Sequence, residues 1–96
     1  MSGRTLYKGT ISSTGIETTS TPNEVLDFKA DGEEVRSFAI VNEGPAVMNI
    51  KVNGESNSHY LKPGESWATD QMRVDQILIA ESGSNYRYSG LTANPE

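Results

Sequence analysis

Within short runs of this chain, apolar residues recur at every second position, and turn-forming residues separate the runs. The pattern is clearest between Phe38 and Trp67. Phe38 and Ile40, then Met48, Ile50 and Val52, alternate with more polar neighbours, and turns are signalled at Glu43-Gly44-Pro45, Asn53-Gly54 and Pro63-Gly64. A period of two lines up side chains on one face of an extended strand, so this stretch predicts an antiparallel β meander with one buried face. The reading extends in both directions. Residues 4–12 mix β-branched, aromatic and polar side chains and predict a strand, with Gly9 marking a bulge. Residues 24–30 set Leu26, Phe28 and Ala30 against Asp27 and Lys29, ahead of an Asp31-Gly32 turn. Further strands are predicted over 35–42, 46–53, 58–62, 65–69, 73–81 and 86–91. Ile77 and Ile79 point inward, and Ser82-Gly83-Ser84-Asn85 closes a hairpin between the last two strands.

Seven or eight short strands with turns at this spacing predict an all-β fold, an antiparallel β-sandwich or small barrel. Helix is confined to one turn at most, over 70–75. Ser12 to Asn23 is rich in Ser and Thr and carries Gly15 and Pro22. Ser and Thr compete for backbone hydrogen bonds in a helix, so this segment reads as a long loop, or as an edge strand around Ile16 to Thr19. A polar segment of that length is often a mobile arm or binding loop. The expectation is one domain over 1–96, with this segment at 12–23 and a polar tail at 92–96.

Composition narrows the picture. The 96 residues are 34% hydrophobic, low against a usual ~45–50% that also counts Gly; the core is thin, and contacts between subunits are expected to supply part of the stability. The absence of cysteine excludes disulfides, thiolate zinc sites and cysteine nucleophiles. A net charge of −5 with no basic stripe speaks against nucleic acid as a partner. No apolar run is long enough to cross a membrane as a helix, and Met-Ser-Gly-Arg-Thr is followed by no apolar segment of the kind a signal peptide needs.

Candidate chemistry is sparse. His59 is the only histidine, with no second histidine or cysteine to complete a transition-metal site. Ser58 and His59 are adjacent, and neighbouring strand residues face opposite ways, so local geometry does not make them nucleophile and base. Asp31, Glu33 and Glu34 lack the ligand set of a calcium loop and read as a solvated hairpin tip. No Gly-x-Ser-x-Gly and no phosphate-binding loop is present. No catalytic, cofactor or metal site is assigned, and the expectation is a protein that is not an enzyme. Trp67, Tyr60 and Arg87 are the candidate interface or ligand contacts, because aromatics anchor both protein interfaces and sugar platforms. Tyr86 and Tyr88 share a strand face and read as core, packed on Ile77 and Ile79. Arg4, like Arg87, reads as an outward arginine.

The run Asn42-Glu-Gly-Pro-Ala-Val-Met-Asn-Ile-Lys-Val-Asn-Gly54, then Tyr60-Leu-Lys-Pro-Gly-Glu-Ser-Trp67, then the Ile-rich strand and Tyr86-Arg-Tyr-Ser-Gly-Leu91, resembles small β-sandwich accessory proteins of tailed-phage virions, immunoglobulin-like or jelly-roll-like. It is similar also to cupredoxin-like modules, whose copper ligands are missing here. The resemblance covers residues 35–91 and transfers no functional residue. It implies a structural role in capsid decoration, the tail or the head–tail region, with copies of the chain and other virion proteins as partners. The location it implies is the virion, or the host cytoplasm before assembly. The alternative is a carbohydrate-binding module using Trp67 and nearby tyrosines.

Overall fold

The structure, a computed structural model, describes residues 6–94. Nine strands form among them: β1 (Leu6–Ser12), β2 (Glu17–Thr18), β3 (Glu24–Asp27), β4 (Val35–Asn42), β5 (Met48–Val52), β6 (His59–Leu61), β7 (Ser66–Thr69), β8 (Gln76–Ile79) and β9 (Asn85–Asn94). Sheet A has the order β1-β9-β4-β7, with β2 also on β9, and sheet B the order β3-β8-β5-β6. The fold is all-β and antiparallel, as the alternation predicts. Two stacked sheets settle the choice between sandwich and barrel.

The connections follow one rule. The chain is a long hairpin with its tip at 53–58: β5 pairs with β6, β4 with β7, β3 with β8, and β1 and β2 with β9. The hairpin is then rolled, so that β9 also meets β4 and β5 also meets β8. Successive steps fall in alternate sheets, which is the strand order of a jelly roll. The expected meander is therefore corrected. β4 and β5 lie in opposite sheets, and so do β8 and β9, so neither Glu43-Gly44-Pro45 nor Ser82–Asn85 closes a hairpin. Alternation fixes which face of a strand is buried, and any neighbour in either sheet satisfies it.

The inner faces meet in a core of Phe28, Val35, Phe38, Ile40, Met48, Ile50, Val52, Leu61, Val74, Ile77, Ile79 and Tyr86, with Trp67, Met72 and Tyr88 packed on its border. Every core position expected from the alternation between Phe38 and Val52 is buried. Tyr86 and Tyr88 are core-facing as expected, but not across a hairpin. Tyr88 sits 5.8 Å from Phe38 and 5.6 Å from Phe28, ring centre to ring centre, and 6.3 Å from Tyr86. Phe28 reaches this cluster from beyond the end of β3. The strand stops at Asp27 because the chain turns there, with Asp31 N–H donating to the Asp27 carbonyl. Ala30, expected to face inward with Leu26 and Phe28, is exposed on that turn.

Three further segments are settled by the structure, two that the sequence left open and one that it read otherwise. Of the two readings of Ser12–Asn23, the edge strand around Ile16 to Thr19 is the one found, as β2 on β9: Ser13 N–H donates to the Tyr88 carbonyl, β2 pairs with Tyr86 and Asn85, and Thr19 is buried. The Thr19 hydroxyl donates to the Glu81 carbonyl (2.7 Å) and accepts from Ser84 N–H (2.9 Å), tying the segment to the β8–β9 connection. Nearby, Ser20 N–H donates to the exposed Glu24 carboxylate and holds it below the usual carboxylate range. Thr92, Ala93 and Asn94, read as tail, continue β9, and Thr92 and Ala93 are buried. Arg4 and residues 95 and 96 lie outside the described residues. Finally, residues 70–75 form bends and a single bridge, Val35 with Val74, and no helical turn.

Candidate functional site

Two asparagines shape the loops at opposite ends of β4 and β5. Asn42, fully buried at the end of β4, donates through its amide to the carbonyls of Ala46 (2.9 Å) and Leu61 (2.8 Å), and its side-chain oxygen accepts from Gly44 N–H (2.8 Å). Its backbone continues the work, with Asn42 N–H donating to the Glu65 carbonyl and Gly64 N–H to the Asn42 carbonyl. The three turns that the sequence marks separately are thus held by one side chain at two of them. Asn53, with φ of 55°, plays the same part at the hairpin tip: its side-chain oxygen accepts from Asp75 and Gln76 N–H, and its amide donates to the Arg73 carbonyl. Left-handed backbone is tolerated by Asn better than by most residues.

The candidate contact residues do not converge. Tyr60, on edge strand β6 opposite Asn49, is 60% exposed on the outer face of sheet B. Trp67, opposite Ile40, points between the sheets and packs on the border of the core. Its ring lies 5.5 Å from that of His59 at an interplanar angle of 43°, so the lone histidine closes the flank of the sandwich where β6 and β7 end the two sheets. Arg87 lies on the outer face of sheet A, opposite Val41, ion-paired with Glu43. Among the described residues no three His, Asp or Glu side chains come together as metal ligands. Of the acidic cluster, Glu34 is committed to Arg36 at 2.7 Å and Arg73 at 3.7 Å, and Arg73 also reaches Asp75 at 2.7 Å.

Burial pushes the Tyr86 phenol up to about 12, with the charges of Glu24, Glu17 and Tyr88 adding to it. Tyr88 is raised for the same first reason, with Glu17 and Asp31 adding. Neither lies near a group that would use a proton at neutral pH, and the shift reports on packing.

The feature that single residues did not announce is a groove of about 670 Å3 on the outer face of sheet A. The strand registers explain it. Ser12 faces Ser89, Ser89 faces Ala39, and Ala39 faces Ala68, so one row across all four strands carries only small side chains. A smaller hollow of about 270 Å3 shares Ser12, Ala39 and Ser89 and runs on to Arg87; Asp70 lies at the other end. Serine and threonine hydroxyls and alanine methyls share the lining with the apolar Ile11, Leu91 and the buried Phe38. Ser12, Ser89, Ala39 and Ala68 each read singly as an ordinary outward position, and only the registers bring them into one row.

Compared with protein-family models, curated proteins and solved structures, the chain finds no significant match in any of the three.

Proposed function

We propose that this protein is a non-enzymatic structural module that acts by protein–protein contact and self-association, as a component of a virion: capsid decoration, tail or head–tail. The observation that carries this reading is the strand order, a rolled hairpin in two layers of five and four strands, an arrangement that viral capsid domains use. Fold alone does not imply function. Two further features support the reading: the functional groups that the fold brings together serve its own turns and core, and its edges and outer faces are left for contact. Its partners on this reading are further copies and other virion proteins. In cells that carry the gene, the protein is expected to band with particles in a density gradient and to be labelled on them by immunogold microscopy. Recovery only as soluble chains above the gradient, with unlabelled particles, would overturn the proposal.

A carbohydrate-binding reading has one observation in its favour, the hydroxyl-lined groove across sheet A, since lectins share the jelly-roll arrangement. Against it, Trp67 is turned into the sandwich and Tyr60 stands alone on the opposite sheet. Titration of soluble oligosaccharides against the NMR signals of Ser12, Ala39, Ala68 and Ser89 separates the two readings. Saturable shifts at those four residues favour the sugar, and a flat response removes it.

A further inference from the structure

A two-sheet sandwich leaves strand edges whose unpaired N–H and C=O groups template pairing with another chain, and proteins usually blunt them with charge, proline, bulges or short length. Among the described residues five strands lie at sheet edges: β1, β2 and β7 in sheet A, β3 and β6 in sheet B. Four of them are blunted. β2 is two residues long and includes Glu17. β1 carries a register break between Tyr7 and Gly9. β3 follows Pro22 and begins and ends in carboxylates, Glu24 and Asp27. β6 is three residues long and runs into Lys62-Pro63. β7, Ser66-Trp67-Ala68-Thr69, has no charge, no proline and no bulge.

Its geometry suits a partner strand. Asn42 N–H donates to the Glu65 carbonyl, and in an antiparallel ladder the bonded positions alternate. Trp67 and Thr69 therefore bond β4, while Ser66 and Ala68 turn their N–H and C=O groups outward. The side chains of Ser66 and Ala68 are exposed and small, so nothing bulky on that face holds a neighbour off. Glu65 and Asp70 flank the strand, and they select the register. Centred on Ala68 against Ala68 of a second copy, an antiparallel pair sets Ser66 opposite Asp70 and Glu65 opposite Gln71. No carboxylate then faces a carboxylate, whereas centring the pair between Trp67 and Ala68 would put Glu65 against Asp70, and like charges directly opposite are destabilising.

We propose that β7 is a self-pairing edge: two copies of this chain join Ser66–Thr69 antiparallel across a two-fold axis at Ala68, so that sheet A runs on from one copy into the next. This rests on the self-association reading above and names its surface and its symmetry. A contact of one short strand buries less than the roughly 1,200 Å2 of a stable interface, so the pair is reversible and forms in the micromolar range or above.

Sedimentation equilibrium from micromolar to millimolar concentration tests it with Ala68→Lys and Ala68→Glu, both on an exposed position that circular dichroism will show to fold. In the symmetric register each variant sets its new charge against itself, so each alone is expected to dissociate at least about tenfold more readily than the wild type. An equimolar mixture of the two is expected to restore a one-to-one dimer. Ala68→Pro, which removes only an outward N–H, is expected to be monomeric and folded. Wild-type association that is unchanged by Ala68→Lys overturns this surface and leaves the assembly reading standing. Failure of the mixture to recover overturns the two-fold register. A wild-type chain that stays monomeric throughout overturns both proposals.

Discussion

Asn42→Ala is the perturbation with the most to say about what holds this fold. The side chain is fully buried and uses its whole amide: two donated bonds, to Ala46 and Leu61, and one accepted from Gly44. Truncation leaves the Leu61 carbonyl and the Gly44 N–H without a partner where they are buried, and the Ala46 carbonyl without one at a part-buried position that water can reach. Each orphaned group costs about 1–3 kcal/mol, and relaxation or an entering water recovers part of that, which leaves about 3–5 kcal/mol. A domain of this size is stable by roughly 5–14 kcal/mol in total, so the variant stands to lose about a fifth of its stability or more. Urea unfolding followed by far-ultraviolet circular dichroism measures it: the midpoint should fall by about 1.5–2.5 M for a slope of ~2 kcal/mol/M, with the slope unchanged. Asn42→Asp should be worse at neutral pH, because a buried carboxylate would face two carbonyls. Its folded-state pKa would be raised by that burial. The folded form would then hold the proton that the unfolded form releases, and the variant would regain stability as pH falls toward 4. Asn57→Ala, at an exposed loop position, is the control and should move stability by less than ~0.5 kcal/mol. A loss below ~1 kcal/mol for Asn42→Ala would refute the account, since the three turn groups would then be finding water or one another.

Gly90→Ala places a methyl 2.6 Å from the Ser37 carbonyl oxygen and 3.3 Å from atoms of both Phe38 and Val35. β4 and β9 must part to admit it, at a cost of ~1–3 kcal/mol, read as a lowered urea midpoint and an altered near-ultraviolet dichroism from Phe38 and Tyr88. Thr19→Val keeps the shape and removes the bonds to Glu81 and Ser84; a loss of about 1–3 kcal/mol and faster hydrogen exchange at the Ser84 amide are expected. Tyr86, held neutral by burial up to about 12, ionises more readily once unfolded, near 10. Stability should be indifferent to this group below that pH and decline as pH rises from about 10 toward 12. Tyr86→Phe should remove a late component from the ultraviolet absorbance titration and blunt the alkaline decline.

The strands were legible because alternation reports burial directly: Met48, Ile50 and Val52 are buried while Asn49 and Lys51 are not fully so, and the sequence says the same. What it withheld was partnership. Phe38 to Trp67 reads as consecutive strands side by side, yet β4 finds β9 and β7, residues far along the chain, because periodicity carries no information on which strand lies beside which. The Ser/Thr stretch left loop and edge strand both open for a related reason, and β2 decides for the strand. Its polar side chains satisfy β9 and the β8–β9 connection rather than water, as Thr19 does, and composition does not distinguish those partners. Thr92 and Ala93 read as tail because they follow no apolar alternation, though cross-strand neighbours Val35 and Tyr7 set their places. The groove on sheet A was invisible for the reason the buried face was visible: small outward residues give no signal until strand registers stack Ser12, Ser89, Ala39 and Ala68 in one line.

The nested hairpin has a consequence for how the chain can be cut and rejoined. Leu6 stands opposite Asn94, so a brief flexible bridge can weld one end to the other, while the hairpin tip offers Glu55, Ser56 and Asn57, all exposed, as a fresh opening. Such a permuted chain keeps every strand pair, but inverts their separations: β1 with β9, the most remote partners today, become the innermost, and β5 with β6 the outermost. Folding rate follows the mean separation of contacts, so comparing the two connectivities would reveal which end of the roll the chain closes first.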